Sequence, residues 1–268
     1  MKILIPLIAL FFASCTTYSG KVKYLKLDNN YYTLEKTERE MGQVYIPEGK
    51  GPFPGVIILH GGGWNSRSYE DMNSVAHSVA SHGFVVYNIN YRLVPKHLHP
   101  APIIDLQNAL IHFKANHQQF KLDPKRIGLW GYSAGGHIVS YFALVHAKDE
   151  NLKVQAVVAG GTPFDFTWYP ESPIISKYMG DYRDKMLDQY FEASPMYKIT
   201  ADAPPFYLYH ARNDKLVEFA QSTAFEAKLR AAKVPVKRHA ISWWGHATAF
   251  IFSEKAVVKG IEFLQEKL

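Results

Sequence analysis

The stretch RIGLWGYSAGG at 126–136 decides how this chain is read. An apolar run over 127–130 leads into a turn bracketed by Gly131 and Gly135, and a helical pattern continues over 134–147. That is G-x-S-x-G set between a strand and a helix, the context in which a serine is presented on a sharp turn. Glycine on either side leaves room where a Cβ would strike neighbouring backbone. Ser133 is then expected at the carboxyl edge of a sheet and at a helix N-terminus, where main-chain N–H groups favour developing negative charge. It is the candidate nucleophile; the plainer alternative is a serine that only opens a helix.

The same strand-and-helix rhythm extends in both directions. Leading strands are expected over 22–27, 31–35 and 43–46, then short apolar strands over 55–60 and 84–90. Helical spacing runs over 70–82, stopped by Gly83, and over 102–117. Downstream, strands are expected over 154–159, 205–210 and 236–241, with helices over 219–233 and from His246 onward. Continuous apolar strands alternating with helices predict an α/β fold, a mostly parallel central sheet with helices on both faces. The segment 162–203 breaks this rhythm. It is rich in proline and aromatic residues and has no clean period, so it is expected to form a small cap or pocket wall between two sheet strands.

Two further loops carry chemistry. His60-Gly61-Gly62-Gly63-Trp64 follows a strand, and its glycines let main-chain N–H groups approach a substrate oxygen. The N–H of Ala134, next after the serine, would complete such an oxyanion hole. A phosphate-cradling loop would need a Gly-Lys-Ser/Thr ending that is absent here. His60 is expected to fix the loop rather than carry protons. A serine nucleophile needs a base, and the base an orienting carboxylate. Asp214 follows the strand over 205–210, and His246 follows the strand over 236–241, which preserves the order Ser, acid, His. Asp165 and Asp202 are weaker candidates for the acid.

Together these residues resemble the α/β-hydrolase superfamily, in particular its hormone-sensitive-lipase-type and acetyl-xylan-esterase-like carboxylesterases. The carriers are HGGGW at 60–64, YRL at 91–93 with the downstream Asp105, GYSAGG at 131–136, ND at 213–214 and GH at 245–246. After YRL this chain has Val94-Pro95-Lys96 where the lipase pattern has Ala-Pro-Glu. The resemblance implies a serine ester hydrolase with Ser133, Asp214 and His246 as its triad. It points to Gly62 and Gly63, with Ala134, as the oxyanion donors, and it implies no metal or organic cofactor. Trp64, Tyr132 and Trp168 are the candidates for the substrate pocket, and Arg92 with Asp105 for a structural ion pair. Rival readings are an acetyl-xylan or feruloyl-type polysaccharide esterase, a kynurenine-formamidase-like amide hydrolase and a non-catalytic envelope binding protein.

Composition sets the outer bounds. The 268 residues are 47% hydrophobic and 20% charged, which suits a large globular core and excludes a disordered or heptad-built chain. The net charge of +6 is scattered and accompanies no nucleic-acid motif, so no nucleic-acid partner is expected. No run of 18 apolar residues occurs, so a multi-span membrane protein is excluded. The N-terminus has Lys2, an apolar run over 3–13 and then Ser14-Cys15, the shape of a signal peptide. Ending at the chain's single cysteine, it resembles a bacterial lipoprotein signal. The expected organisation is a signal peptide over 1–14, a tether over 15–22 beginning at lipidated Cys15, and a hydrolase domain over 23–268. An exported lipoprotein of the cell envelope, held to membrane by its acyl chains, follows from that resemblance.

Overall fold

The computed structural model describes residues 20–251 and 253–268. The expected signal peptide, Cys15 and most of the tether lie outside these residues. Eight described strands make one sheet: β1 (Tyr24–Tyr31), β2 (Met41–Pro47), β3 (Phe53–Leu59), β4 (Val85–Ile89), β5 (Leu122–Tyr132), β6 (Ala156–Gly160), β7 (Phe206–Ala211) and β8 (Val236–Ile241). Their order across the sheet is β1-β2-β4-β3-β5-β6-β7-β8. The pairs β1/β2 and β2/β4 are antiparallel, and the remaining pairs are parallel. This is the mostly parallel sheet that the apolar runs predicted.

The described helices are α1 (Asn73–Ala80), α2 (Ala101–Ala115), α3 (His117–Phe120), α4 (Ala134–Val145), α5 (Pro173–Met179), α6 (Leu187–Ala193), α7 (Phe219–Ala231), α8 (His246–Ile251) and α9 (Glu254–Lys267). Successive strand residues point to opposite faces. Ile57 and Leu59 therefore join one core with Leu110 of α2, Ile138 of α4 and Phe225 of α7. Val56, Ile58 and Trp130 join the other core with Val75 of α1 and Ile261 of α9. Both faces of the inner strands are covered, which is why these strands are apolar throughout rather than alternating.

Four expectations need correction. Residues 31–35 form no separate strand: β1 runs through Tyr31, with a register shift between Leu27 and Asn30, and then the chain turns. The helix expected over 70–82 opens as a 3₁₀ turn, Tyr69–Met72, before α1 begins. The last helix is two helices, α8 and α9, with Ser253 immediately before the second. The strand before Ser133 begins earlier than its apolar run, at Leu122, because Phe53 pairs with Leu122 across a register shift.

The segment 162–203 carries α5, α6 and short 3₁₀ turns, and it is packed down rather than solvated. Its Tyr178 stacks on Trp64 at 4.3 Å between ring centroids, Phe166 stacks on His137 at 4.5 Å, and Phe164 stacks on Phe225 at 3.8 Å. Gln221 of α7 accepts the N–H groups of Phe164 and Asp165 at 3.0 and 2.9 Å, satisfying buried backbone that has no strand to pair with. The expected Arg92–Asp105 pair is present. The buried carboxylate accepts from Arg92 Nε and from its backbone N–H, both at 2.7 Å, tying the loop after β4 to α2. Burial pushes the Asp105 pKa up to about 6 against the pull of Arg92.

Candidate active site

Ser133 sits on the turn between β5 and α4 with φ 53° and ψ −118°, a backbone state that a residue with a Cβ adopts only under strain. The glycines around it permit the close approach. A Cβ on Gly131 would stand 2.3 Å from Gly135 O, and a Cβ on Gly135 would stand 2.4 Å from both His60 O and Leu59 O. The elbow is thus wedged against the end of β3. Ser133 N donates to Gly160 O at 2.8 Å, which pins it to the neighbouring strand as well.

Three parallel strand ends bring distant residues together at this edge. His246 Nε2 lies 2.9 Å from Ser133 Oγ, and His246 Nδ1 lies 2.6 Å from Asp214 Oδ2. Asp214 Oδ1 accepts from the Leu216 and Val217 N–H groups, each at 2.9 Å. A carboxylate can only accept, so Nδ1 of His246 carries a proton and Nε2 is left to accept from the serine hydroxyl. Burial pushes the Asp214 pKa up, but donors from His210, His246 and Val217 outweigh burial and hold the carboxyl well below the usual carboxylate range. Tyr132 OH donates to His246 O at 2.6 Å, fixing the start of α8. The weaker acid candidates lie elsewhere. Asp165 accepts from Thr167 N and Tyr197 OH, and Asp202 pairs with Lys148 at 3.1 Å.

The glycine loop runs beside the serine. Gly62, Gly63 and Trp64 all have positive φ (101°, 57° and 58°), and a Cβ on Gly62 would stand 2.3 Å from Ser66 O. His60 fixes this loop, as expected. It is buried, Nδ1 lies 2.7 Å from Gly61 O, and its ring stacks on Tyr91 at 4.3 Å. Tyr91 OH in turn donates to His60 O and Gly61 O. Ala134 heads α4, where the first N–H groups of a helix have no intrahelical acceptor.

A cavity of about 500 Å³ opens over Ser133 and His246. Its lining includes the polar residues Asn65, Ser66, Arg67 and Asp71. It also includes the apolar residues Ile174, Ile175, Leu216, Val217, Phe250 and Ile251. Of the expected pocket residues, Tyr132 lines the cavity. Trp64 reaches it but is otherwise buried, its ring clamped between Tyr178 and the edges of His137 and Phe166. Trp168 is a correction: it is 45% exposed and lies outside the cavity. The Asp165 cap on Thr167 starts a 3₁₀ turn there, and the adjacent Tyr169 faces the cavity instead, with its OH 2.5 Å from Glu218. Sequence reasoning also missed Phe250, although it lies four residues after His246 and so on the same helix face. Nothing local marks Arg67 and Asp71, whose side chains pair at 3.6 Å in the cavity lining.

Residues 43–229, more than half of the chain, match the BD-FAE family. The chain belongs to the BD-FAE family. The matched span includes the glycine loop, Ser133 and Asp214 and ends before β8 and His246. Among curated relatives, the protein called "Probable carboxylic ester hydrolase LipM" of Mycobacterium tuberculosis is 32% identical over 226 residues, 74% of this chain and 52% of that one. Esterase LipC of the same organism is 29% identical over 199 residues, 67% of this chain and 49% of that one. This BD-FAE chain therefore spans about half the length of the curated relatives it matches. Among solved structures, a truncated carbohydrate esterase from gut microbiota superposes with TM-score 0.82, covering 93% of this chain and 98% of that one at 19% identity. At that identity the likeness establishes the fold, which is the α/β-hydrolase fold. Among the described residues of this BD-FAE chain, no group of three or more His, Cys, Asp or Glu is arranged to hold a metal, and no helix is long and apolar enough to cross a membrane.

Proposed function

We propose that this chain is a serine carboxylic-ester hydrolase that works through an acyl-enzyme on Ser133. One observation carries the reading: an unbroken hydrogen-bond relay, Asp214 to His246 to Ser133, opening into a cavity. His246 Nε2 takes the hydroxyl proton as Ser133 Oγ bonds to the ester carbonyl carbon. The carbonyl oxygen becomes an oxyanion, held by the N–H groups of Gly62, Gly63 and Ala134. His246 then gives its proton to the leaving alcohol oxygen as the C–O bond breaks. Water, deprotonated by His246, attacks the acyl carbon, and Ser133 leaves with its proton restored. Asp214 stays ionised throughout, holding the imidazole's tautomer and its transient positive charge.

Substrate class follows from the cavity walls. The apolar lining suits an acyl chain, and a short one is expected because the segment 162–203 carries the seven-residue helices α5 and α6 and no long amphipathic lid helix. The polar lining residues, Arg67 and Asp71 among them, suit an alcohol rich in hydroxyl groups, as on an acylated polysaccharide. The names of the relatives, ester hydrolase and esterase, are in keeping with this reading. Initial rates on p-nitrophenyl esters from acetate to palmitate test it, with acetylated xylan alongside. The rate is expected to peak between acetate and butyrate. A peak at palmitate would overturn the short-chain assignment, and hydrolysis of N-formyl amides in place of esters would move the chain to the amidase reading.

The N-terminal Ser14-Cys15 boundary, with Lys2 and the apolar run before it, supports export and lipidation at Cys15, placing the enzyme in the cell envelope. Cys15→Ser is expected to move the full-length protein from the membrane fraction to the soluble fraction of a bacterial host and to end incorporation of labelled fatty acid. Unchanged membrane fractionation and labelling would refute lipidation at this residue.

A further inference from the structure

His210, at the end of β7, is buried and has no part in the relay described above. Its Nε2 lies 2.8 Å from Val217 O and 3.3 Å from Asp214 Oδ2. Both neighbours can only accept, so the single proton that serves them must sit on Nε2. The other ring nitrogen, Nδ1, is buried and has no hydrogen-bond partner among the described residues. The ring edge meets Phe219 at 5.8 Å and 75°, which holds its plane. The segment 214–217 is thereby gripped from two sides. Asp214 Oδ1 binds its N–H groups, and His210 binds its far carbonyl while standing against Oδ2. That segment has two duties. Its first residue is the acid that orients His246, and Leu216 and Val217 form part of the apolar cavity wall.

We propose that His210 is a positioning residue for this hydrolase: its Nε2–H, shared between Val217 O and Asp214 Oδ2, locks the acid loop and tempers the carboxylate that faces His246. This rests on the reading of Ser133, His246 and Asp214 as a hydrolytic triad. The loop would otherwise rely on its two internal N–H bonds, and Oδ2 would serve His246 alone. A carboxylate with one donor fewer holds a neighbouring imidazolium proton more tightly. His210 thus keeps Asp214 from making His246 too strong a base to release its proton to the leaving group. Other charged or titratable groups near this pair include His246 on α8, Tyr132 on β5, whose OH is bound to His246 O, Lys215 and Glu218 beside the loop, and Arg212 and Arg238, whose guanidinium groups lie over the Phe219 ring. Tyr132 OH donates to a carbonyl, Glu218 accepts from Tyr169 OH, and the two arginines lie against the Phe219 ring.

Two measurements test the proposal. The first needs no turnover, so its failure is separate from any failure of the hydrolase reading. Imidazole nitrogen NMR on the full-length protein is expected to show His210 with its proton on Nε2 and His246 with its proton on Nδ1. A His210 proton on Nδ1 would overturn the proposal. The second compares His210→Met, which fills the space without a donor, with His210→Gln, whose amide nitrogen lies the same number of bonds from Cβ as Nε2. His210→Met is expected to lower kcat/KM about tenfold, the size of one hydrogen bond to a charged group. It is also expected to move the acidic limb of the kcat/KM profile to higher pH, and His210→Gln is expected to restore both. A purely structural histidine would change melting temperature and leave that limb in place, and an unmoved or downshifted limb overturns the proposal. Should His210→Met not fold, the tautomer and the His210→Gln profile decide the matter.

Discussion

Ser133→Ala is expected to reduce kcat for short-chain p-nitrophenyl esters by 10⁴-fold or more, on the order of the losses seen when a serine nucleophile is removed from a triad. The whole bond-forming role rests on one Oγ, whose hydroxyl donates to His246 Nε2 at 2.9 Å. Without it His246 and the glycine loop can still bind and polarise an ester, but no acyl-enzyme can form. Stability should hardly change. Alanine keeps the Cβ and therefore the same strained backbone at φ 53°, and among the described residues the lost hydroxyl bonds only to His246, which lines the open cavity. Melting temperature within a few degrees of wild type is the expected control, as for substitutions that create neither cavity nor buried unpaired group. Labelling by a fluorophosphonate should vanish in the variant and be present in the parent. A loss of only tenfold, or labelling that persists, would place the nucleophile elsewhere and remove the basis of the proposed function.

Gly135→Ala is expected to destabilise the protein by about 3 kcal/mol or more, a large share of the total stability of a typical fold. Ordinarily an alanine in place of a helical glycine stabilises by about 1 kcal/mol, because it restricts the unfolded chain and improves helix propensity. Here the sign reverses for a spatial reason. The new Cβ would lie 2.4 Å from two main-chain oxygens, His60 O and Leu59 O, and neither can rotate away as a side chain would. Either α4 moves off β3 or the glycine loop shifts, and both outcomes displace Ser133 from the His246 side of the cavity. Denaturant unfolding measures the first consequence, and esterase activity at a temperature where the variant remains folded measures the second. Gly245 provides the contrast: a Cβ there would find only contacts at 3.9 Å, so Gly245→Ala should unfold at nearly the parent's denaturant midpoint. A Gly135→Ala protein as stable as the parent would mean that β3 and α4 are not wedged together at this point.

Much of the site was legible because its signals are local. The elbow requires glycines at fixed offsets from Ser133, since backbone passes within contact distance there, and those offsets survive in the string at 131–136. Asp214 and His246 were found in the same way, as polar residues just beyond apolar strands. The buried inner strands were visible as uninterrupted apolar runs because both sheet faces are covered. The edge was not: the stretch 31–35 has strand composition, but β1 gains its partner only through β2 and ends at Tyr31 where that pairing stops. Trp168 looked like the pocket aromatic by composition, and one residue of phase in a 3₁₀ turn gave the place to Tyr169.

What the sequence by itself determined, then, is the alternation of elements, the elbow, and the candidate acid and base as polar residues just beyond apolar strands. What only the tertiary structure decided is which side chains share a space. Ser133 and His246 are 113 residues apart, and His210 serves the acid loop through a carbonyl seven residues on. The polar lining residues Arg67 and Asp71 and the apolar ones Ile174, Leu216 and Phe250 come from four separate segments. Their meeting depends on how the parallel strand ends line up across the sheet, and that alignment is set by packing on both faces, which no short window of residues encodes.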